Sequence, residues 1–169
     1  MTTQAARLSA ARIREAEEEY QLGLIFFKRK QWHIATQHFS LAEKRAPRKD
    51  LQLHLYSSWH GLALVYNKDV SGLNLCRRAA TRKGIQATIF QNLVLAELKF
   101  NHRKRVCDAL DQGLRLEPRH EGLLALKKTI RLRRRPCLVF LKRENLLNKW
   151  LGKMTYRKIA AREGLAERL

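Results

Sequence analysis

Small and aromatic residues between Ala16 and Pro47 recur at the spacing that two antiparallel helices need in order to pack closely. They are Tyr20, Leu22, Gly23, Phe26, Ala35, Phe39, Ala42 and Pro47. Gly23 and Ala35 are placed at the helix crossing, where small side chains let two backbones approach. Pro47 cannot continue a helix and therefore ends the unit. Because one such unit packs its apolar face against the next unit, the pattern predicts a series of stacked helix pairs.

The pattern continues in the next part of the chain. Gly61 lies 38 residues after Gly23, inside a predicted helix from Leu51 to Tyr66. A second helix is predicted from Val70 to Arg82, with Asp69 as its N-cap. The packing positions of this second helix are Gly72, Cys76 and Ala79. We expect a degenerate unit here, since the turn between its two helices is one residue short.

A third unit runs from Ala87 to Pro118. Its matching positions are Phe90, Leu93, Leu110, Gly113 and Pro118. Val94 and Val106 replace small residues of the pattern, so the two helices of this pair are expected to lie slightly farther apart.

Together these positions resemble the tetratricopeptide repeat, whose period is about 34 residues. The resemblance implies an all-α fold: a tetratricopeptide-like helix-pair stack, or α-solenoid, with a terminal helix and a basic helical tail. A predicted helix from Glu121 to Arg135 closes the stack. We therefore expect a repeat domain over residues 1–135 and a basic amphipathic tail over residues 136–169. An ordinary helical bundle with accidental spacing is the alternative.

The sequence lacks the motifs of common catalytic and metal sites. It contains no phosphate-binding loop, no nucleophile elbow and no His-Glu-x-x-His pair, and none of its six histidines pairs at i and i+4. The cysteines Cys76, Cys107 and Cys137 are widely spaced, which predicts a reducing compartment rather than a disulfide framework. No apolar run reaches the ~20 residues needed to cross a bilayer. We expect a cytoplasmic protein that is not an enzyme, with no catalytic residues, metal, cofactor or small-molecule substrate.

The resemblance also implies where a ligand binds, because in this family the first helix of each pair lines the concave face. In this sequence the corresponding stripe is apolar and comprises Tyr20, Leu24, Phe27, Leu62, Val65, Leu95 and Leu98. The carboxylate clamp of some family members is not expected, since Asn92 alone keeps a suitable residue type. The stripe predicts a groove for a hydrophobic peptide or an amphipathic helix. Internal coverage of the same side chains by the N-terminal helix or the tail is the alternative.

Positive charge is concentrated toward the C-terminus. The chain has 35 basic and 15 acidic residues, a net charge of +20, and residues 131–169 hold 12 of the basic and 3 of the acidic groups. The predicted polyanion-binding residues are Arg133, Arg134, Arg135, Lys142, Arg143, Lys149, Lys153, Arg157 and Lys158. Such a segment can dock on protein, lie on an anionic membrane with Trp150 as an anchor, or contact nucleic-acid phosphates. A solvated basic face without a specific ligand is the remaining interpretation.

These observations predict a non-catalytic adaptor, scaffold or chaperone that binds a hydrophobic peptide or helix of a protein partner in an apolar concave groove. The length and repeat number also suit secretion chaperones of the type III class. Two alternatives stay open. One is a nucleic-acid- or ribosome-associated protein that uses the basic C-terminal region, and the other is peripheral attachment to an anionic membrane through the tail.

Overall fold

The computed structural model describes residues 2–82, 86–130 and 150, and within them the chain forms seven α-helices and no strand. The helices are α1 (Thr2–Lys28), α2 (Trp32–Arg45), α3 (Leu53–Tyr66), α4 (Ser71–Ala79), α5 (Ala87–Lys99), α6 (Arg103–Leu116) and α7 (Glu121–Thr129). The all-α prediction is confirmed. None of the described helices combines the length and apolarity that a membrane span requires.

Helices that follow each other in the chain pack against each other. α1 packs on α2, α3 on α4 and α5 on α6, while α2 contacts α3, and both α3 and α4 contact α5. α7 packs on α5 and α6. The chain divides into two units, Met1–Arg131 and Leu132–Leu169. The domain boundary predicted at residue 135 lies outside the described residues.

Small residues set the distance between the helices of the first two pairs. A Cβ atom added to Gly23 of α1 would lie 2.6 Å from the Phe39 ring of α2. In the second pair, a Cβ on Gly61 of α3 would lie 2.7 Å from the carbonyl oxygen of Gly72 on α4. Both crossings therefore fall at residues that the sequence pattern had placed there.

The core is centred on α3. Eight of its 14 residues are buried, whereas α2 buries Ala35, Phe39 and Ala42, which form a single face at helical spacing. This difference follows from the neighbours of α3, which is covered by α2, α4 and α5.

The turn inside each helix pair has the same backbone geometry. Lys30, Lys68 and Asn101 are left-handed, with φ of 61°, 68° and 57°. In each turn this residue donates its N–H to the carbonyl three positions back, and the next residue donates to the carbonyl five positions back, at 2.9–3.2 Å. The left-handed residue comes seven positions after the crossing residue of its unit, which is Gly23, Gly61 or Val94. The three pairs therefore share one register, although Gly or Asn is the usual residue in this conformation.

Several helix boundaries differ from the predictions. α3 begins at Leu53 rather than Leu51. α7 ends at Thr129, and residues 131–135 of the predicted closing helix lie outside the described residues. α4 ends at Ala79 rather than Arg82, because the Thr81 hydroxyl donates to the Arg78 carbonyl (2.9 Å) and closes the last turn.

The start of α4 also differs in detail from the prediction. Val70, and not Asp69, occupies the N-cap position. The Asp69 carboxylate nevertheless accepts a hydrogen bond from the Ser71 backbone N–H at 2.8 Å, and hydrogen bonding from Ser71 lowers the pKa of Asp69. Asp69 thus satisfies one N–H of the first turn without being the cap residue.

Candidate functional site

The structure divides the seven predicted groove residues into two sets. Tyr20, Leu62 and Val65 are buried, with exposed fractions of 9%, 0% and 7%. The half-buried set comprises Leu24, Phe27, Leu95 and Leu98. The predicted stripe is therefore not open at the three buried positions.

The neighbours of the three buried side chains explain their position. Leu62 and Val65 pack in one cluster with residues of α4 and α5, namely Leu73, Cys76 and Ala96. The Tyr20 ring lies 6.0 Å from the Phe39 ring and 5.1 Å from the Tyr56 ring, measured between centroids. Because helices lie on both sides of α3, its aliphatic side chains fill the interior instead of lining a groove.

An apolar surface persists where α3 presents aromatic side chains. Trp59 and Tyr66 are half-buried and seven residues apart, so they share one face of α3. The Phe27 ring centroid lies 5.2 Å from that of Trp59 and 5.4 Å from that of Tyr66. Leu95 packs on the same cluster. We define the apolar face as Leu24, Phe27, Trp59, Tyr66, Leu95 and Leu98.

Basic side chains flank one end of the apolar face. The Lys99 ammonium lies 4.5 Å from the centroid of the Tyr66 ring, a cation–π contact. Lys28 directly follows Phe27 in α1 and is exposed. Burial raises the pKa of Tyr66, so its ring remains a neutral phenol. The apolar face therefore combines apolar contact area with positive charge at the C-terminal ends of α1 and α5.

Sequence reasoning did not place Trp59 or Tyr66 on the apolar surface. The signal that could have found them is the interval of seven residues between two aromatic side chains on one helix. Asn92, the one residue suited to the clamp, is fully buried, and its Nδ2 donates to Ser58 Oγ at 3.0 Å. It joins α5 to α3 and is not available to a ligand.

Carboxylates of α1 and α2 join neighbouring helices. Glu19 pairs with His38 and Arg45 at 2.7 and 2.8 Å, and Glu43 pairs with Ser57 and His60, both at 2.7 Å. Burial alone would raise the pKa of Glu43, but the bonds from His60 and Ser57 outweigh it and lower that pKa. These carboxylates thus serve helix packing.

Glu97 is the most deeply buried carboxylate, with 1% of its surface exposed. It accepts two bonds from Arg77 of α4, at 2.7 Å from Nε and 3.0 Å from Nη2, and pairs with His102 Nδ1 at 2.6 Å. Burial acts to raise the pKa of Glu97, but the bonds from Arg77 and His102 reverse the effect and lower it. Hydrogen bonding to Glu97 also raises the pKa of Arg77. Glu97 and Arg77 therefore form an ion pair at neutral pH.

The buried Cys76 thiol, which could otherwise act as a nucleophile, also takes part in helix packing. Burial, with the nearby Glu97 charge, raises the pKa of Cys76 to about 12, and its thiol donates to the Ser58 carbonyl at 3.4 Å. The thiol is therefore un-ionised at neutral pH and a poor nucleophile. Among the described residues no group of three or more His, Cys, Asp or Glu side chains converges on a metal position.

A cleft of about 270 Å³ lies between α4, α5 and α6. Its lining includes Phe90, Leu93, Arg105 and Asp108, together with the Arg77–Glu97 pair. Its volume is below the roughly 300–1,000 Å³ typical of small-molecule pockets. Arg77 and Glu97 already bond to each other. The cleft therefore offers a ligand fewer free hydrogen-bonding groups than its lining residues suggest.

The predicted polyanion-binding residues, from Arg133 to Lys158, lie outside the described residues. Trp150, the one described residue of this region, has 59% of its surface exposed. The proposed role of the tail therefore stays a prediction.

Comparison with protein-family models, with curated proteins and with solved structures finds no match to this chain.

Proposed function

We propose that this chain is a non-catalytic adaptor of the tetratricopeptide type, acting in the cytoplasm, whose apolar face binds an amphipathic helix of a partner protein. The observation that carries the proposal is the continuity of the apolar face across α1, α3 and α5. Phe27 contacts the Trp59 and Tyr66 rings of α3, and Leu95 of α5 packs against the same core cluster as these three rings. A half-exposed apolar surface formed by three helices is the kind of surface that receives a partner helix.

The tetratricopeptide assignment is supported by features that recur from one helix pair to the next. Small residues stand at the crossings of the first two pairs, and the same left-handed turn closes each pair. Each pair also contacts the next one along the chain. Stacks of this kind function by binding other molecules, because each unit contributes one strip of a continuous surface.

The expected chemistry of the partner follows from the side chains of the apolar face and from the lysines at one end of it. Phe27, Trp59 and Tyr66 offer contacts to apolar side chains that repeat along a helix. Lys28 and Lys99 place positive charge at one end, in a chain of net charge +20. We therefore expect a partner helix with one apolar stripe and acidic residues at the end that meets these lysines.

A non-catalytic role is supported by the use of the polar groups. Glu19, Glu43 and Glu97 each bond to residues of other elements, and the buried Cys76 thiol is un-ionised. These side chains stabilise the helix packing, and none of them is poised for acid–base or nucleophilic work.

The first test places a photo-crosslinking amino acid at Leu98, on the apolar face, or at Leu116, which is 55% exposed on α6. We expect the probe at position 98 to capture a defined protein in native cells and the probe at position 116 not to do so. The captured protein is then titrated against the purified full chain and against Leu98→Glu. Loss of one buried leucine contact should weaken binding by about tenfold or more.

The matched control is Leu116→Glu, which introduces the same charge away from the apolar face. Unchanged affinity in Leu98→Glu, with a circular dichroism spectrum like that of the parent, would refute the proposal. Capture of the same proteins by both probes would also count against it, because it would show contact without a preferred face.

A further inference from the structure

The three turns inside the helix pairs lie at one end of the helix packing. The Trp32 ring, at the start of α2, lies 4.7 Å from the Tyr66 ring at the end of α3, measured between centroids. The Lys99 ammonium, at the end of α5, lies 4.5 Å from the centre of the same Tyr66 ring. Tyr66 therefore joins the first turn to the second and the second to the third.

Exposed cations crowd this end of the packing. We define the turn edge by Lys28, Arg29, Lys30, Lys68, Lys99, Arg103, Lys104 and Arg105, all of which are exposed. Asp69 is the one acidic residue within 28–31, 67–70 and 99–105, and its carboxylate accepts a bond from Ser71. Within the described residues, the salt bridges involve none of the eight cations. The turn edge therefore carries an excess of positive charge.

Fold stability does not account for the cations at Lys30, Lys68 and residues 103–105. Lys30 and Lys68 adopt left-handed backbone conformations in which Gly or Asn would be less strained. Residues 103–105 place three cations in the first turn of α6, which has no acidic residue. The positive end of the helix dipole disfavours cations at that position. Two strained turns and an unfavourable helix start at the same edge point to an external anion.

We infer that the turn edge binds the phosphate backbone of a single-stranded nucleic acid. Neighbouring packed helices are about 8–10 Å apart, so the cations form a row of about 20 Å that suits a linear polyanion. Trp32 and Tyr66 lie half-buried among the cations, and aromatic rings between basic side chains give bases a surface for stacking. An anionic membrane fits less well, because Val70 is the only large apolar side chain strongly exposed at this edge among the described residues. The inference does not rest on the proposed protein partner, although Tyr66, Lys28 and Lys99 contribute to both surfaces.

The test compares two full-length variants that each lose four positive charges. The edge variant carries Arg29→Gln, Lys30→Asn, Lys68→Asn and Lys104→Gln. The control variant carries Lys44→Gln, Arg48→Gln, Lys49→Gln and Arg82→Gln, at exposed positions away from the turn edge. Asparagine suits the left-handed turns, so the edge variant should fold at least as well as the parent. The tail is identical in all three proteins, so its contribution cancels in the comparison.

Binding of a fluorescent 20-nucleotide oligouridine is measured by anisotropy between about 0.05 and 0.3 M salt. We expect the edge variant to lose at least tenfold in affinity at about 0.1 M salt. Its logarithmic salt slope should fall by about 2 to 3, because each single-strand phosphate contact contributes about 0.7. The control variant should lose less than threefold.

Three outcomes would overturn the inference. Equal losses in the edge and control variants would show an attraction that follows net charge only. Absence of oligouridine binding by the parent protein would exclude single-stranded nucleic acid as the ligand of the turn edge. Binding to phosphatidylserine vesicles that depends on the turn edge, while oligouridine binding does not, would instead assign the edge to a membrane surface.

Discussion

Individual glycines of this chain are constrained by different kinds of neighbour. A Cβ atom on Gly61 would meet backbone atoms of the facing helix, at 2.7 Å from the Gly72 carbonyl oxygen and 2.9 Å from the Cys76 nitrogen. A Cβ atom on Gly122 would instead meet the amide end of the Gln91 side chain. Backbone atoms of a packed helix cannot yield without separating the helices, whereas a glutamine side chain can rotate. The same substitution should therefore have opposite effects at the two positions.

We predict that Gly61→Ala lowers the free energy of unfolding by about 1–3 kcal/mol, since α3 and α4 must move apart. Gly122→Ala should leave it unchanged or raise it by up to about 1 kcal/mol, because alanine favours the helix and only Gln91 must adjust. Urea denaturation followed by circular dichroism measures both. Equal destabilisation by the two changes would contradict the argument that backbone contact distinguishes these glycines.

At the scale of helices, the sequence pattern located the helix pairs but not the rotation of the central helix. Ala35, Phe39 and Ala42 lie on one face of α2, so their spacing predicts their burial. α3 is covered by three other helices, and spacing cannot say which of its faces is left open. For this reason Leu62 and Val65 were assigned to the surface, where Trp59 and Tyr66 lie instead.

The spacing of residues also could not predict contacts between side chains that are distant in sequence. Glu97 meets Arg77 of the preceding pair and His102 of the following turn. Nothing in the spacing of these residues marks them as partners, because their contact depends on the packing of α4 on α5. Likewise, Lys30 and Lys68 stand at the left-handed positions of their turns, where a glycine would have allowed the turn to be predicted from the sequence.

The Glu97 pair predicts a dependence of stability on pH. The folded pKa of Glu97 lies below its ordinary value of 4.5, so the pair contributes stability above that value and loses it as pH falls through the folded pKa. The free energy of unfolding should therefore decrease as pH falls from about 5 toward 3. Glu97→Gln should be less stable than the parent at pH 7 and should show a shallower decrease.

Urea titrations at several pH values between 7 and 3 test this prediction. The lowered pKa of Glu43 leaves some acid sensitivity in the variant, so the slope should shrink without vanishing. Glu18→Gln, at an exposed carboxylate of α1, controls for the loss of one negative charge. Parallel pH profiles for the parent and Glu97→Gln would show that the pair does not link protonation to folding.

For the molecule as a whole, the two proposed binding surfaces use different properties of one packing of helices. The apolar face comes from side chains of α1, α3 and α5, whereas the turn edge comes from the ends of the same helices. Lys99 belongs to the turn edge and also contacts Tyr66 of the apolar face. A protein partner and a nucleic acid could therefore influence each other through this contact, and such coupling would be reciprocal.

The packing order also implies that stability is uneven along the chain. α3 packs on α2, α4 and α5, is contacted by aromatic side chains of α1, and buries eight residues. Among the described residues α7 packs on α5 and α6 and buries Leu123. When units contact only their neighbours, a local loss at the end need not reach the other end. We predict that amide hydrogen exchange is slowest in α3 and faster in α7.

Leu123→Ala provides the sharper test of this gradient, because it removes the one buried side chain of α7. Truncation of a buried leucine costs about 2–5 kcal/mol, which should exceed what holds α7 in place. We expect α7 amides to lose protection while those of α1 to α4 keep theirs, and Leu124→Ala, at a position 36% exposed, to have little effect. A uniform increase in exchange from α1 to α7 would mean that the helices open as one cooperative unit. Exchange confined to α7 would instead show that the helix pairs form the stable unit and that the chain loosens from this end.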